Sequence, residues 1–173
     1  MGMLKPDFYY GTVFDIPYDE LWLNEIRGLI FDLDNTLAPY ADNQPSAKVV
    51  ALIKRLQRMG FKVCLLTNNT NKRLERFSKP LGIPGIANAA KPLLRGVRKS
   101  MQEMGTKRGY TAIIGDQLFS DVWAGKRARL TTVLVNPLSN KDLFLVRFRR
   151  MLESWLLNRY YGDARPSANV NLK

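Results

Sequence analysis

The chain has 173 residues, 46% of them hydrophobic and 24% charged, which suits one globular domain with a real core and excludes a disordered polyelectrolyte. It has no histidine and one cysteine, Cys64, so histidine-based zinc sites, histidine general bases and intramolecular disulfides are excluded. The net charge of +12 is uneven, with 6 Lys/Arg against 8 Asp/Glu in residues 1–60 and 21 against 7 thereafter, a field that favours anionic partners of any kind.

In chain order, residues 1–16, rich in aromatics, suit an irregular arm lying on the domain. A helix is expected after Asp15-Ile16-Pro17, with Asp15 or the polar residues beyond it as cap. Together, residues 1–27 form an arm and helix packed on a core of residues 28–140. Gly28 to Phe31 reads as a buried parallel strand. Pro45-Ser46 opens a helix with Val49, Leu52, Ile53 and Leu56 on one side, ended by Gly60. Phe61 to Thr67 is a second buried strand, and it makes Cys64 a small core residue. Asn71 to Lys79 reads as a helix stopped by Pro80, and Ile83 to Ala90 as a weak third strand. Pro92 starts a helix to Met104. Thr111 to Gly115, Asp121 to Arg129, and Thr132 to Val135 read as strand, helix and strand. The alternation predicts a three-layer α/β/α, Rossmann-like fold with a five-stranded parallel sheet. A basic amphipathic helix over 141–161 and a flexible tail over 162–173 complete the reading.

Chemistry gathers where the apolar runs stop. Asp32 and Asp34 follow the first strand and share a side of it, with Thr36 just beyond. Thr67 and Asn68 end the second strand, and Lys91 follows the third. Gly115-Asp116 ends the fourth, with Asp121 five residues further on. Three strand-end carboxylates, a hydroxyl, an amide and a lysine at the carboxyl edge of one parallel sheet describe a magnesium-dependent phosphoryl site.

The order Asp32-x-Asp34-x-Thr36, Thr67-Asn68, Lys91 and Gly115-Asp116-x-x-x-x-Asp121 resembles the four motifs of the haloacid dehalogenase superfamily. That resemblance implies Asp32 as nucleophile and Asp34 as general acid and base. It further implies Thr67, Asn68 and Lys91 as phosphate ligands, and Mg²⁺ held by Asp32, the backbone carbonyl of Asp34 and Asp116. Asp121 and Thr36 would support them. The short spacings leave no room for a large cap domain. Phe-Asp-Leu-Asp-Asn-Thr-Leu, Leu-Leu-Thr-Asn-Asn, Ala89-x-Lys91-Pro92, Gly-Asp-Gln-Leu-Phe-Ser-Asp-Val and Val-Asn-Pro-Leu resemble the capless YqeG family, related to the phosphatidylglycerophosphate phosphatases. The implied reaction turns phosphatidylglycerophosphate into phosphatidylglycerol.

The 141–161 helix, apolar at Phe144, Phe148, Trp155 and Tyr160 and basic at Arg147 and Arg150, suits either an anionic membrane interface or packing on the sheet. No spanning helix, secretory signal or dedicated nucleic-acid motif is visible. A cytoplasmic or inner-face peripheral location is therefore expected, with the oligomeric state open. Two rivals remain: a capless phosphatase for a nucleic-acid end or phosphoprotein, and a non-catalytic binding module with a basic surface.

Overall fold

The computed structural model describes residues 3–139; the expected helix at 141–161 and tail at 162–173 lie outside them. Six strands, β1 (Phe8–Tyr10), β2 (Gly28–Phe31), β3 (Lys62–Leu66), β4 (Gly85–Ile86), β5 (Thr111–Gly115) and β6 (Thr131–Val135), form one parallel sheet in the order β1-β6-β5-β2-β3-β4. Five α-helices connect them: α1 (Tyr18–Leu23), α2 (Ala47–Arg58), α3 (Asn71–Leu81), α4 (Leu94–Met104) and α5 (Trp123–Ala128).

Period-two alternation sorts the strands between two helical layers. Leu29, Phe31, Val63, Leu65, Ala112 and Ile114 join α1, α2 and α3 in one apolar cluster. Ile30, Cys64, Leu66 and Ile113 join α4 and α5 in another. Both faces of the sheet are thus covered, which is why its strands read as unbroken apolar runs. Cys64 is fully buried, and burial pushes its thiol up to about 11. We expect no reaction of the native protein with a thiol-specific disulfide reagent and one equivalent after denaturation; rapid native labelling would contradict this core.

Several boundaries differ from the sequence expectation. The N-terminal arm contributes a sixth strand, because Asp7 fastens it to β6. The Asp7 carboxylate accepts from the Thr132 N–H and hydroxyl, both at 2.8 Å, and pairs with Lys126 at 2.5 Å. Asp15 does not cap α1; its carboxylate accepts from the Thr12 N–H at 2.7 Å and closes a turn of its own. Pro80 lies inside α3, which runs on to Leu81 and ends at Gly82 in the left-handed conformation (φ 63°). Pro80 forfeits one helix hydrogen bond but stands one residue before the end, and it is the positive φ of Gly82, which suits glycine, that stops the helix. The third strand shrinks to β4, α4 begins at Leu94 and not at Pro92, and a π-type turn (Leu118–Val122) precedes a shorter α5. Ser46 and Thr70 cap α2 and α3, each accepting from the backbone N–H three residues on.

The order also fixes where chemistry can sit. From β2 the chain moves outward through β3 and β4, then crosses back to β5 on the other side. In an open α/β sheet the carboxyl ends at such a reversal border a crevice.

Candidate active site

The motif residues converge on this crevice. Lys91 is its pivot, with a side chain only 2% exposed. Its Nζ donates to Asp32 Oδ1 at 2.5 Å, Asp121 Oδ1 at 2.6 Å and the Leu66 carbonyl at 3.0 Å. The Thr36 hydroxyl lies 3.2 Å from Asp32 Oδ2 and 3.4 Å from Asp116 Oδ1, tying the β2 and β5 ends together. Above them is a cavity of about 260 Å³ whose lining includes Asp32, Asp34, Tyr40, Thr67, Asn68 and Lys91.

The electrostatics follow from one cation serving several buried carboxylates. Burial acts to lower the Lys91 ammonium, but Asp121 and Asp32 outweigh it and carry it above its ordinary value, so it stays charged. Burial pushes the Asp32 carboxyl up to about 7; Lys91 pulls the other way, and the charges of Asp121 and Asp34 add to the rise. Asp32, Asp116 and Asp121 offer carboxylate oxygens all within 4.8 Å of one another. With all three ionised and Lys91 protonated the cluster would carry two excess negative charges. A hard divalent cation with oxygen preference fits this donor set and would cancel that excess.

Two of the expected phosphate ligands also make contacts within the site. The Asn68 side chain is engaged by the Lys91 backbone: Oδ1 accepts from Lys91 N at 2.7 Å and Nδ2 donates to Lys91 O at 3.3 Å. It is a clip that sets the height of Lys91. The Thr67 hydroxyl donates to Asp34 Oδ2 at 3.2 Å and accepts from Asn69 N at 3.0 Å.

Sequence reasoning passed over Arg73, Asn69 and Tyr40. Arg73, on α3 and only 9% exposed, donates from Nε to Asp34 Oδ1 at 3.0 Å. Its remaining nitrogens donate to the Pro39 carbonyl at 3.1 Å and to the Asp42 carbonyl. Asn69 Nδ2 reaches Asp34 Oδ2 at 3.3 Å and the Tyr40 hydroxyl at 3.1 Å. One arginine and one asparagine thus fix Asp34 and moor the loop after β2. The signal was available: Arg73 lies four residues before Phe77, on the apolar side of its helix, where an arginine needs a buried partner.

Gly115 explains how Asp121 comes so close. A Cβ there would lie 2.2 Å from Asp121 Cγ and 2.3 Å from its Oδ2. We expect Gly115→Ala to lower stability by about 1–3 kcal/mol, the usual range for overpacking, and to depress phosphate release by moving Asp121 off Lys91. Thermal melting and a phosphate assay check both effects, and wild-type values in both would contradict this packing.

A doubly wound parallel sheet with carboxylates and a buried lysine gathered at its switch point, and no cap inserted among the described residues, is an architecture suited to phosphoryl chemistry. Residues 38–129 match the haloacid dehalogenase-like hydrolase family. Over 153 residues the chain is 34% identical to the probable phosphatase YqeG of Bacillus subtilis (strain 168), covering 88% of this chain and 89% of that one. It is also 29% identical over 141 residues to phosphatidylglycerophosphate phosphatase 1, chloroplastic, of Chlamydomonas reinhardtii, covering 75% of this chain but 52% of the relative. An uncharacterized protein from Listeria monocytogenes serotype 4b shares the fold (TM-score 0.54, 16% identity, 68% of this chain and 85% of that one). The chain belongs to the haloacid dehalogenase-like hydrolases, and it is a phosphatase of that family. No helix among the described residues is long and apolar enough to cross a membrane.

Proposed function

We propose that this protein hydrolyses a phosphomonoester through an aspartyl-phosphate on Asp32, and that its substrate is phosphatidylglycerophosphate. The observation that carries the mechanism is the Lys91 ammonium, held between Asp32 and Asp121 at 2.5 and 2.6 Å beneath an open crevice. Asp32 attacks phosphorus and the bond to the leaving alcohol oxygen breaks, with Asp34 delivering the proton that oxygen needs. Water then attacks the acyl phosphate as Asp34 takes up its proton, releasing inorganic phosphate and restoring Asp32. Two steps replace one whose uncatalysed barrier demands a reduction on the order of 20 kcal/mol.

Lys91 faces the charge on the transferred phosphoryl group, and the Thr67 hydroxyl and Asn68 backbone bind its other oxygens. Asp32, Asp116 and the Asp34 carbonyl would hold Mg²⁺, with Thr36 and Asp121 orienting them. The ion supplies charge neutralisation between carboxylate and phosphate. The lipid substrate is supported by the chloroplastic relative's name and by a crevice with no cap over it among the described residues, which admits a phosphate borne on a large body.

The test is phosphate release with Mg²⁺ from phosphatidylglycerophosphate in mixed micelles, against a panel of small phosphate esters. Release confined to the lipid, lost with a chelator and restored by Mg²⁺, is expected. Release confined to soluble esters contradicts the substrate, and release indifferent to chelation contradicts the metal.

A further inference from the structure

A second feature borders the crevice and takes no part in the chemistry. Leu93, two residues after Lys91, is 56% exposed, and Trp123, two residues after Asp121, is 38% exposed. Leu93 is the residue before α4 and Trp123 the first of α5, so each stands where the chain leaves a site residue and enters a helix. Arg127 joins the two segments: its Nη1 donates to the Pro92 carbonyl at 2.9 Å, and its guanidinium lies 5.9 Å from the centre of the Trp123 ring. Beside them, α4 and α5 border an open groove of about 620 Å³ in which, among the described residues, Arg95, Arg98, Lys99 and Arg127 face Glu103 as the one acidic lining residue.

We propose that this surface, Leu93 and Trp123 backed by Arg95, Arg98, Lys99 and Arg127, docks the protein on an anionic phospholipid bilayer. The inference extends the reading of a lipid-borne substrate and rests on it for its purpose. Charge complementarity chooses the occupant, since four cations against one carboxylate suit an anionic headgroup layer. An exposed tryptophan and an exposed leucine on segments joined through Arg127 separate a bilayer from a nucleic acid, because an indole settles at the headgroup level while a leucine has no part in phosphate binding. Docking there turns the mouth of the crevice toward the headgroups. A phosphate could then be reached without drawing its lipid out of the membrane.

Trp123 supplies the probe. In a Trp22→Phe/Trp155→Phe chain its emission should shift to the blue and be quenched by brominated lipid in vesicles of equal parts phosphatidylcholine and phosphatidylglycerol. With the native tryptophans retained, Arg95→Glu/Arg98→Glu/Lys99→Glu should weaken vesicle co-sedimentation about a hundredfold, at about fivefold per cation, with circular dichroism checking the fold. Unchanged Trp123 emission in a vesicle-bound protein would overturn the proposal, by assigning docking to another segment. So would emission already blue and shielded from iodide without vesicles, or shielding of Trp123 by polyuridylate in place of vesicles. Vesicle docking here without hydrolysis of phosphatidylglycerophosphate leaves the surface standing and removes the substrate. Hydrolysis with undiminished docking of the triple variant does the reverse.

Discussion

Replacing Lys91 by methionine is expected to abolish phosphate release and to cost the fold about 3–5 kcal/mol, the usual penalty for removing one partner of a buried ion pair. The ammonium is almost wholly buried and is shared by Asp32 and Asp121. Methionine fills much the same space, so the loss is electrostatic: two carboxylates keep their burial and lose the charge that made it tolerable. Asp32, already pushed up to about 7, would then hold its proton still more firmly and serve less well as the proposed nucleophile. Urea unfolding and a phosphate assay, both with and without Mg²⁺, measure the two effects. A Lys91→Met protein that unfolds like the wild type and retains activity would contradict the arrangement.

Arg73→Met is the second large effect. It removes the charge beside Asp34 and the donors to the Pro39 and Asp42 carbonyls, so the proposed acid–base group and the loop after β2 lose their anchor together. A stability loss of about 3 kcal/mol is expected from the buried pair. Loss of a positioned acid–base group is worth about 10² to 10⁴ in rate, and the fall should appear in kcat. KM should change little, because Lys91 and Thr67 remain in place. Arg73→Lys restores the charge but not the planar fork, so it should recover stability better than rate. A fall in KM-dependent binding alone, with kcat intact, would show that Arg73 serves the substrate and not Asp34.

The contrast between these two residues marks how far the sequence could be read. Lys91 stands in a recognisable order of strand ends, and its charge can be assigned before any contact is seen. Arg73 sits among Lys72 and Arg76 on a basic helix; its spacing to Phe77 marks it as inward-facing, but only the packing of α3 against the β2 loop shows that its partner is Asp34. Asn68 was legible as a site residue, but its clip on the Lys91 backbone spans 23 positions that local pattern cannot join. The buried runs of β2, β3 and β5 were legible because both faces of the sheet are covered. β1 was not, since three residues become a strand only when Asp7 finds Thr132, 125 positions away. Local turn chemistry misled at Asp15, whose carboxylate closes its own loop and leaves α1 uncapped by a side chain.

The central claim is that Asp32 is the nucleophile, and Asp32→Asn tests it most directly. The amide keeps the size and shape of the carboxylate beside Lys91 while removing its charge and nucleophilicity. Phosphate release by the purified variant, assayed with Mg²⁺ beside a wild-type control of matching melting behaviour, should fall to background. Release at the wild-type rate from the Asn variant would contradict the account.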